Sequence, residues 1–462
     1  MSSNRLVIAG TGSGVGKTTF TIGLMAALQQ KGYLVQGFKC GPDYIDPTFH
    51  TAVTGRPSRN LDSWMFEEGT VIDILERNSR DVDISIIEGV MGFYDGKSPL
   101  EDRGSTAEIS ILTKSPVLLI VNCSSIARSS AAIVKGFQLL NENVNIVGVI
   151  ANQVGSEGHY KIVKAAIEKE CSIPVVGYLK KEKNIYMPSR HLGLIPAIER
   201  GELQPFFQQL GEVISETVDL EKIYQLSASS ELSSIHPSIF EKKADQQVKI
   251  AVAKDAAFNF YYQENLELLQ ANGVAIEYFA PLNGEVVPPD ADGLYIGGGF
   301  PEEFADELSQ QTAVKESIHH AISKGIPTLA ECGGFMYLTE SIFTTDGKRY
   351  EMVGAIPGTI EMQTNLVALG YREIFGVKGN FLIGEGQEAK GHEFHYSTYS
   401  QPEKSNYAYE TKSRFKKQGE GYMHDNLIAG YTHFHFASNP QLVVQWIEQC
   451  KKYQKKAVHT NG

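Results

Sequence analysis

The chain has 462 residues, more than one hydrophobic core usually holds, so two or three domains are expected. Hydrophobic residues (42%) and charged residues (21%) occur in ordinary globular proportions, and the net charge of -12 argues against nonspecific nucleic-acid binding, which needs a basic surface. The five cysteines are scattered without metal-ligand spacing, which argues against a disulfide framework or a zinc site. With no signal peptide and no apolar run that could span a bilayer, we expect a cytoplasmic protein without membrane partners.

The first half of the chain alternates between short apolar runs and helical patterns, which predicts βαβ units and a mainly parallel sheet. The predicted strands after the first are 34–38, 84–87, 117–121, 146–150 and 175–178, and the predicted helices are 19–30, 106–113, 129–140 and 160–170. Loops that follow the strands of such a sheet are expected to carry the site.

A polar, serine-rich stretch interrupts this pattern at 226–247 and is interpreted as a linker. A new alternation follows, with strands at 248–253, 275–279, 293–296 and 327–330 and helices at 260–271 and 301–323. We therefore predict two α/β domains, 1–225 and 248–445, followed by a C-terminal tail at 446–462 whose lysine-rich run, 451–456, is interpreted as a solvated helix end.

A glycine-rich segment, 10–18, lies between an apolar run and an amphipathic stretch, the context of a phosphate-binding loop. In such a loop, backbone N–H groups surround a phosphate, Lys17 reaches the terminal phosphates and the Thr18 hydroxyl holds Mg²⁺. Thr11 stands where the common pattern has glycine, and Gly10 lies one place early, which indicates a variant loop. The predicted nucleotide-binding residues are Gly12, Ser13, Gly14, Val15, Gly16, Lys17, Thr18 and Thr19.

Acidic residues follow two of the predicted strands of the first domain. In the segment 41–47, two prolines restrict the backbone around Asp43 and Asp46. These two aspartates are candidates for binding Mg²⁺ or for orienting a substrate. The alternative is that the segment is only a surface turn. Glu88 ends the next apolar strand, the usual place of a carboxylate that meets nucleotide-bound Mg²⁺.

Cys332 lies in a sharp turn between a buried strand and a helix, which is the pattern of a nucleophile elbow with cysteine in place of serine. Alternation places His433 and His435 on one face, where His433 is the preferred general base and His435 its orienting partner. A metal site at these two histidines is the alternative. Backbone N–H groups of Gly298 and Gly299 are candidates for an oxyanion hole.

In this order, the motifs resemble those of the cobyrinic acid a,c-diamide synthases, amidotransferases of the cobalamin pathway. The resemblance runs from the phosphate loop to the histidine segment. It rests on GTGSGVGKTT, GPDYIDPTFH, EGVMGFYDG, SRHLGL, GGGFPEEF, ECGGFMYL, GHEFHYS and HFHF.

The resemblance implies an N-terminal domain similar to dethiobiotin synthetase, whose loop also has its glycine one place early, and a C-terminal class I glutamine amidotransferase domain. It implies that Asp46 and Glu88 bind Mg²⁺ and that Asn152 meets adenine. Asp43, Tyr44 and Asp95 would meet the corrinoid substrate. In class I amidotransferases a glutamate stands two residues after the histidine; here that residue is His435, so the usual Cys-His-Glu triad is not expected.

The implied reaction uses ATP and glutamine to amidate the a and c carboxylates of cobyrinic acid through acyl phosphates. Arg103, Arg190 and His191 are candidate cations for the polycarboxylate, and a homodimer is a further expectation. Hydrogenobyrinic acid or a nickel tetrapyrrole as substrate, a related amidotransferase of four later carboxylates, and an ATP-driven switch protein are the alternatives.

Overall fold

A computed structural model of the chain describes residues 3–181, 189–190, 193–194, 203–232, 238–401, 406–414 and 416–460. The chain forms two compact units, Met1–Ser238 and Ile239–Gly462. Each unit contains a largely parallel sheet with helices around it, which confirms the predicted α/β class. In the described part of the chain, the helices are too short or too polar to cross a membrane.

The first half of the chain, which alternates between apolar runs and helical patterns, forms a parallel sheet. One short strand is added to this sheet in the antiparallel direction. Its strands and a nearby two-stranded ribbon are β1 (Ser3–Gly10), β2 (Val35–Cys40), β3 (Arg59–Leu61), β4 (Ile84–Glu88), β5 (Val117–Asn122), β6 (Ile146–Val154), β7 (Val175–Lys180), β8 (Ser189–Arg190), β9 (Gly193–Leu194) and β10 (Ala228–Ser229). The sheet has the order β3-β2-β4-β1-β5-β6-β7, with β1 in the middle. The carboxyl ends of β1, β2 and β4 therefore meet at one edge of the sheet.

Eight helices accompany this sheet in the described part of the first unit. They are α1 (Lys17–Gln30), α2 (Asp46–Thr54), α3 (Glu68–Asn78), α4 (Thr106–Leu112), α5 (Ser129–Leu140), α6 (Glu157–Cys171), α7 (Gln204–Thr217) and α8 (Leu220–Leu226). Helix α1 is buried along most of its length between the sheet and α7. Gly23 permits this approach, since a Cβ atom there would lie 2.7 Å from Ile214.

The segment predicted as a linker differs from that expectation at its beginning. Ala228 and Ser229 form β10 and pair antiparallel with the start of β1, and Ser227 is buried. Arg5 N–H donates to Ser227 O over 2.8 Å, so this polar stretch satisfies its backbone groups within the first unit.

In the second unit the strands are more numerous than predicted. They are β11 (Val248–Ala253), β12 (Val274–Phe279), β13 (Gly293–Ile296), β14 (Thr328–Glu331), β15 (Thr339–Phe343), β16 (Arg349–Glu351), β17 (Ile356–Met362), β18 (Ala368–Phe375), β19 (Glu388–His395), β20 (Ser397–Ser400), β21 (Tyr409–Lys412), β22 (Lys417–Glu420), β23 (Tyr422–His424), β24 (Leu427–Gly430) and β25 (His433–Phe434). The main sheet has the order β12-β11-β13-β14-β24-β23 and is parallel except for β23. Two smaller sheets, β16-β15-β17-β20 and β22-β21-β18-β19-β25, contain the remaining strands.

The helices of the second unit depart from the predicted bounds. They are α9 (Gln263–Ala271), α10 (Ala305–Gln310), α11 (Thr312–Ser323), α12 (Gly333–Leu338) and α13 (Gln441–Thr460). The single helix predicted at 301–323 is divided, because Pro301–Phe304 forms a 3-10 turn and Gln311 leaves the helical conformation with ψ 63°.

The predicted solvated tail is the continuation of α13. Leu442, Trp446 and Cys450 recur every four residues along this helix and are all fully buried. The indole of Trp446 packs edge-on against Tyr295 and Phe436. The lysine-rich run 451–456 lies in this helix with half-buried or exposed side chains, as expected for a solvated helix end, whereas the apolar stripe holds the preceding turns to the unit.

Candidate functional site

The phosphate-binding loop lies between β1 and α1, as predicted. Gly16 immediately before α1 adopts the left-handed conformation, with φ 97°, that glycine accommodates without strain. The Lys17 ammonium donates to the carbonyl oxygens of Gly12, at 3.0 Å, and of Met91. The lysine is therefore held at the mouth of the loop, where it can meet the terminal phosphates of a nucleotide.

Two of the predicted metal ligands converge on Thr18. Its hydroxyl donates to Glu88 Oε1 over 2.6 Å and lies 3.1 Å from Asp46 Oδ2. Asp46 begins α2 and Glu88 ends β4, so the parallel sheet brings together residues far apart in sequence. Three side-chain oxygens thus meet beside the phosphate loop.

The ammonium group of Lys39 lies between these carboxylates, and the sequence analysis did not identify it. Its Nζ donates to Glu88 Oε1 over 2.9 Å and to Asp46 Oδ2, and it is 3.8 Å from Asp43 Oδ2. The available signal was a lone basic residue in the buried strand β2, directly before the acidic segment. A lysine buried in that place requires carboxylate partners.

Electrostatic interactions favour the charged forms of Lys39 and Glu88, whereas burial and the nearby Asp43 raise the pKa of Asp46 well above its ordinary value. Burial alone would raise the pKa of Glu88, but Lys39 and the hydrogen bonds from His50 and Thr18 outweigh burial and lower it. Burial likewise opposes the charge of Lys39, yet the neighbouring carboxylates raise its pKa well above the ordinary value. Burial and the nearby Lys39 lower the pKa of Lys17.

The side chains at this edge fit Mg²⁺. Hard oxygen donors from Thr18, Asp46 and Glu88 lie together beside the loop that would hold the phosphates, and Mg²⁺ usually takes one or two carboxylates, with water and phosphate completing its shell. Among the described residues, no group of three or more acidic, histidine or cysteine side chains has the geometry of a dedicated metal site. Any Mg²⁺ there would therefore depend on the nucleotide for its remaining ligands.

The other predicted residues of the first unit lie around this cluster. The Asp43 carboxylate accepts the N–H groups of Ile45, at 2.8 Å, and Asp46, at 3.1 Å, so it shapes the turn that presents Asp46. Tyr44 is half-buried, whereas Asp95 is exposed and accepts the Gly92 N–H over 2.9 Å.

Asn152 ends up against the phosphate loop. Its amide donates to Val15 O over 2.7 Å and thereby fixes the loop, while adenine recognition by Asn152 stays a prediction. Arg103 is exposed, and the side chains of Arg190 and His191 lie outside the described residues.

In the second unit, Cys332 occupies the predicted elbow between β14 and α12. Its backbone has φ 47° and ψ -106°, which is a strained conformation for a residue with a side chain. Backbone hydrogen bonds hold it there, because Cys332 N–H donates to Gly430 O over 2.7 Å and Cys332 O accepts Met336 N–H over 2.9 Å. The thiol is buried and lies 3.8 Å from Phe394 O.

The predicted glycine segment borders both the cysteine and the histidine. A Cβ atom on Gly298 would lie 2.2 Å from Cε1 of His433, and one on Gly333 would lie 3.0 Å from the Gly299 nitrogen. The imidazole and the nucleophile elbow therefore both pack directly on this glycine backbone. That is the arrangement in which N–H groups of the segment can meet the oxygen of a substrate bonded to Cys332.

Burial sets the protonation of both groups. It raises the pKa of the Cys332 thiol, and nearby Glu302 and Glu393 raise it further. Burial lowers the pKa of His433 to about 3, with smaller contributions from His392 and His395. At neutral pH the pair is thus a thiol and a neutral imidazole, which is the form that can accept the thiol proton.

His435, predicted to orient His433, contacts residues of other segments. It follows β25, accepts Ala437 N–H over 3.3 Å, packs with its ring tilted against Tyr262 and has Nε2 3.8 Å from Glu264. Its role as the orienting partner of His433 stays a prediction.

The segment GHEFHYS, to which the sequence analysis gave no role, lies beside the base. In the pairing of β19 with β25, His392 is directly opposite His433. Glu393 bonds His395 at 2.9 Å and pairs with Arg372. Its density of polar aromatic residues was the signal, but only the strand pairing gives it a location.

Comparisons with known proteins agree with this division into two units. Residues 6–195 match the model of CobQ/CobB/MinD/ParA nucleotide binding domains, and residues 249–441 match that of CobB/CobQ-like glutamine amidotransferase domains. A protein of Priestia megaterium named cobyrinate a,c-diamide synthase is 65% identical over 456 residues, with 99% of each chain covered. One of the same name from Dehalococcoides mccartyi (strain CBDB1) is 44% identical over 460 residues, covering 98% of this chain and 99% of the relative.

These matches extend over essentially the whole chain and confirm the resemblance drawn from its motifs. The chain belongs to the family of cobyrinate a,c-diamide synthases, glutamine-dependent amidating ligases that combine a nucleotide-binding domain with a glutamine amidotransferase domain.

Proposed function

We propose that the chain amidates the a and c side-chain carboxylates of cobyrinic acid, with ATP as the activating substrate and glutamine as the nitrogen donor. One observation carries the proposal: a single chain contains a phosphate loop beside a lysine–carboxylate cluster and a strained cysteine elbow beside a neutral, buried histidine. The name of the 65% identical relative supplies the substrate.

In the proposed glutaminase step, Cys332 Sγ attacks the side-chain amide carbon of glutamine as His433 accepts the thiol proton. The N–H groups of Gly298 and Gly299 stabilise the oxyanion, and the proton passes to the departing nitrogen, releasing ammonia. Water then hydrolyses the γ-glutamyl thioester, with His433 again accepting a proton, to give glutamate and the free thiol.

In the proposed synthetase step, an oxygen of the corrinoid carboxylate attacks the γ-phosphorus of ATP, and ADP leaves. Ammonia attacks the carbonyl carbon of the acyl phosphate, and phosphate leaves as the amide forms and a proton is lost. Lys17 and the phosphate loop bind the transferring phosphoryl group, with Lys39 beside it, and Asn152 meets adenine. Mg²⁺, held by Thr18, Asp46 and Glu88, would neutralise negative charge on the phosphates.

We place the corrinoid beside Asp43, Tyr44 and Asp95, at the same edge of the sheet as the phosphate loop. This placement is supported by their position after β2 and β4, since ligands of open α/β sheets bind outside the carboxyl ends of the strands. We also expect the protein to work in the cytoplasm. We further expect a homodimer, and sedimentation of the purified chain would test this oligomeric state.

Two variants test the division of labour. Cys332→Ala should abolish glutamine-dependent amidation but retain amidation with added ammonia, because only the nitrogen supply is lost. Lys17→Ala should abolish amidation with either donor while glutamine hydrolysis continues. The proposal would be contradicted if Cys332→Ala lost amidation with ammonia as well as with glutamine, or if Lys17→Ala kept near-normal synthesis.

Matched controls use residues of the same type elsewhere in each unit. Cys450→Ala removes another buried thiol from the second unit, and Lys31→Ala removes a lysine just after α1. Both variants should retain both activities, because neither residue lies among the groups assigned to the reaction.

A further inference from the structure

We infer that Glu331 is a positioning residue for glutamine hydrolysis. Its carboxyl group connects the cysteine elbow to two other segments: strand β13, which leads to the glycine segment, and β25, which carries the base His433. The inference rests on the proposed glutaminase function of Cys332 and deepens it. Glu331 does not touch the reacting atoms in this role. It acts through the relative positions of Cys332, His433 and Gly298–Gly299.

Glu331 is the last residue of β14, directly before the nucleophile, and its side chain is fully enclosed. Oε1 accepts the Phe434 N–H over 2.9 Å, and Oε2 lies 2.8 Å from the Tyr295 hydroxyl. Both carboxyl oxygens thus have partners, one in β25 and one in β13. Three strands that belong to two different sheets meet at one side chain.

Each partner of Glu331 is close to a functional group. Phe434 follows His433 directly, so its N–H belongs to the peptide group that joins the two residues. Tyr295 lies in β13, which ends one residue before Gly297, and the Gly297 N–H in turn donates to the Tyr261 hydroxyl over 2.8 Å. The two bonds of Glu331 therefore restrict both the base and the approach to the glycine segment.

The base segment needs such partners because β25 is an edge strand, paired only with β19 in its sheet within the described chain. Glu331 receives the N–H of Phe434, and the buried amide of Asn265 donates to Phe434 O over 2.8 Å and accepts Phe436 N–H over 2.7 Å. Buried side chains thus satisfy backbone groups on the edge that no strand covers.

A buried carboxylate next to a nucleophilic thiol would oppose formation of the thiolate. The protonation state of Glu331 therefore affects the reactivity of Cys332. Burial raises the pKa of Glu331 to about 8, which leaves most of the group neutral at pH 7. A neutral carboxyl can keep both bonds, because one oxygen accepts the Phe434 N–H and the other, as a hydroxyl, can donate to or accept from the Tyr295 hydroxyl. Glutamine has the same shape and can make the same two bonds.

The experiment compares Glu331→Ala and Glu331→Gln, measuring glutamine-dependent synthesis, ammonia-dependent synthesis and thermal unfolding. Glu331→Ala should lower the glutamine-dependent kcat by about 100-fold, since a displacement of reacting groups by an ångström has that scale of effect. The KM for glutamine and the ammonia-dependent rate should change little. Glu331→Gln should restore the glutamine-dependent kcat to within about threefold of the natural chain, a difference of under 1 kcal/mol.

Asn426→Ala is the matched structural control. Asn426 lies before β24, at the amino ends of the strands and so at the opposite edge from Cys332, and its amide donates to Gly325 O over 2.6 Å. This variant should lower the melting temperature without lowering the glutamine-dependent kcat. Should Glu331→Ala fail to fold, Tyr295→Phe keeps the buried ring and removes only the hydroxyl. It should still lower the glutamine-dependent kcat severalfold relative to the ammonia-dependent rate.

Three results would overturn the inference. These are a glutamine-dependent kcat in Glu331→Ala within about threefold of normal, no rescue by Glu331→Gln, and an unchanged kcat in Tyr295→Phe. Cys332→Ala is assayed in parallel. If that variant still hydrolyses glutamine, the proposed function fails; if it does not and the Glu331 variants behave normally, only the positioning role fails.

Discussion

At the scale of single residues, the first unit depends on a lysine enclosed by carboxylates. Lys39 is paired with Asp46 and Glu88, and Glu88 also bonds the buried His50 at 2.7 Å. Such a cluster is stable only while every charge has a partner, since an uncompensated charge in the interior is far more costly than the pair itself. Lys39 and His50 thereby keep Glu88 ionised beside the phosphate loop.

Lys39→Met should therefore destabilise the first unit by about 3–5 kcal/mol, because two buried carboxylates lose their cation. Thermal unfolding measures this change, and added Mg²⁺ should recover part of it if Asp46 and Glu88 bind the ion. Lys164→Met is the control, since Lys164 forms a half-exposed pair with Glu168 at 3.6 Å and a distant contact with the Tyr160 ring, at 5.9 Å, and its loss should cost under ~1 kcal/mol. Equal melting temperatures for the two variants would refute the role assigned to Lys39.

In the second unit, the buried histidines predict how stability changes with pH. Burial lowers the pKa of His392, and of His433 beside it, to about 3, below the ordinary value of 6.5. The unfolded chain therefore binds protons first as the pH falls. Their contribution to the free energy of unfolding is complete above about pH 6.5 and is lost progressively toward pH 3.

His392→Gln should thus unfold at a temperature that varies less between pH 7 and pH 4 than that of the natural chain. The exposed His319→Gln controls for the loss of an imidazole. A pH dependence that is the same in all three proteins would show that His392 is not buried in the neutral form.

At the scale of elements, long periodic segments were predictable and short antiparallel strands were not. The pattern of the sequence gives α5 at its observed bounds, because its period is sustained over several turns. The strands between 339 and 424 were not predicted, because six of them have only three to five residues, and the eight-residue β19, EAKGHEFH, does not alternate apolar and polar residues. Without those strands, the position of GHEFHYS beside His433 could not be predicted.

The candidate site shows the same limit. Glycines, Lys17 and Cys332 could be predicted from local motifs, since each depends on its immediate neighbours in sequence. Lys39 and Glu331 could not, because their roles arise from contacts with residues distant in the chain, Glu88 for the first and Phe434 for the second. Each is the lone charged residue of a buried strand, which is the signal that such contacts leave in a sequence.

The packing of helix α13 against its unit was not predicted from the sequence. Trp446 is fully buried against Tyr295 and Phe436, whereas Val444 on the same helix is 41% exposed. Trp446→Ala should destabilise the second unit by about 3–5 kcal/mol, and Val444→Ala by less than about 1 kcal/mol. Denaturant unfolding followed by circular dichroism measures both. Similar midpoints for the two variants would mean that α13 is the solvated tail its lysines suggest.

At the scale of the whole molecule, the proposed function divides one reaction between the two units, with carboxylate activation in the first and nitrogen supply in the second. The first has the phosphate loop and the cation–carboxylate cluster, and the second has the cysteine elbow and a base held neutral by burial. A carboxylate is a poor acyl donor and glutamine holds its ammonia covalently, so under this proposal glutamine-dependent amidation requires both units.

The most direct test of this account is mass spectrometry of the corrinoid product. The purified chain is incubated with ATP, Mg²⁺, glutamine labelled with heavy nitrogen in its side-chain amide, and cobyrinic acid, hydrogenobyrinic acid or nickel sirohydrochlorin in parallel. We expect two labelled amides at side chains a and c of cobyrinic acid, formed only with ATP present. Amidation at other side chains, a clear preference for one of the other tetrapyrroles, or label incorporation without ATP would contradict it.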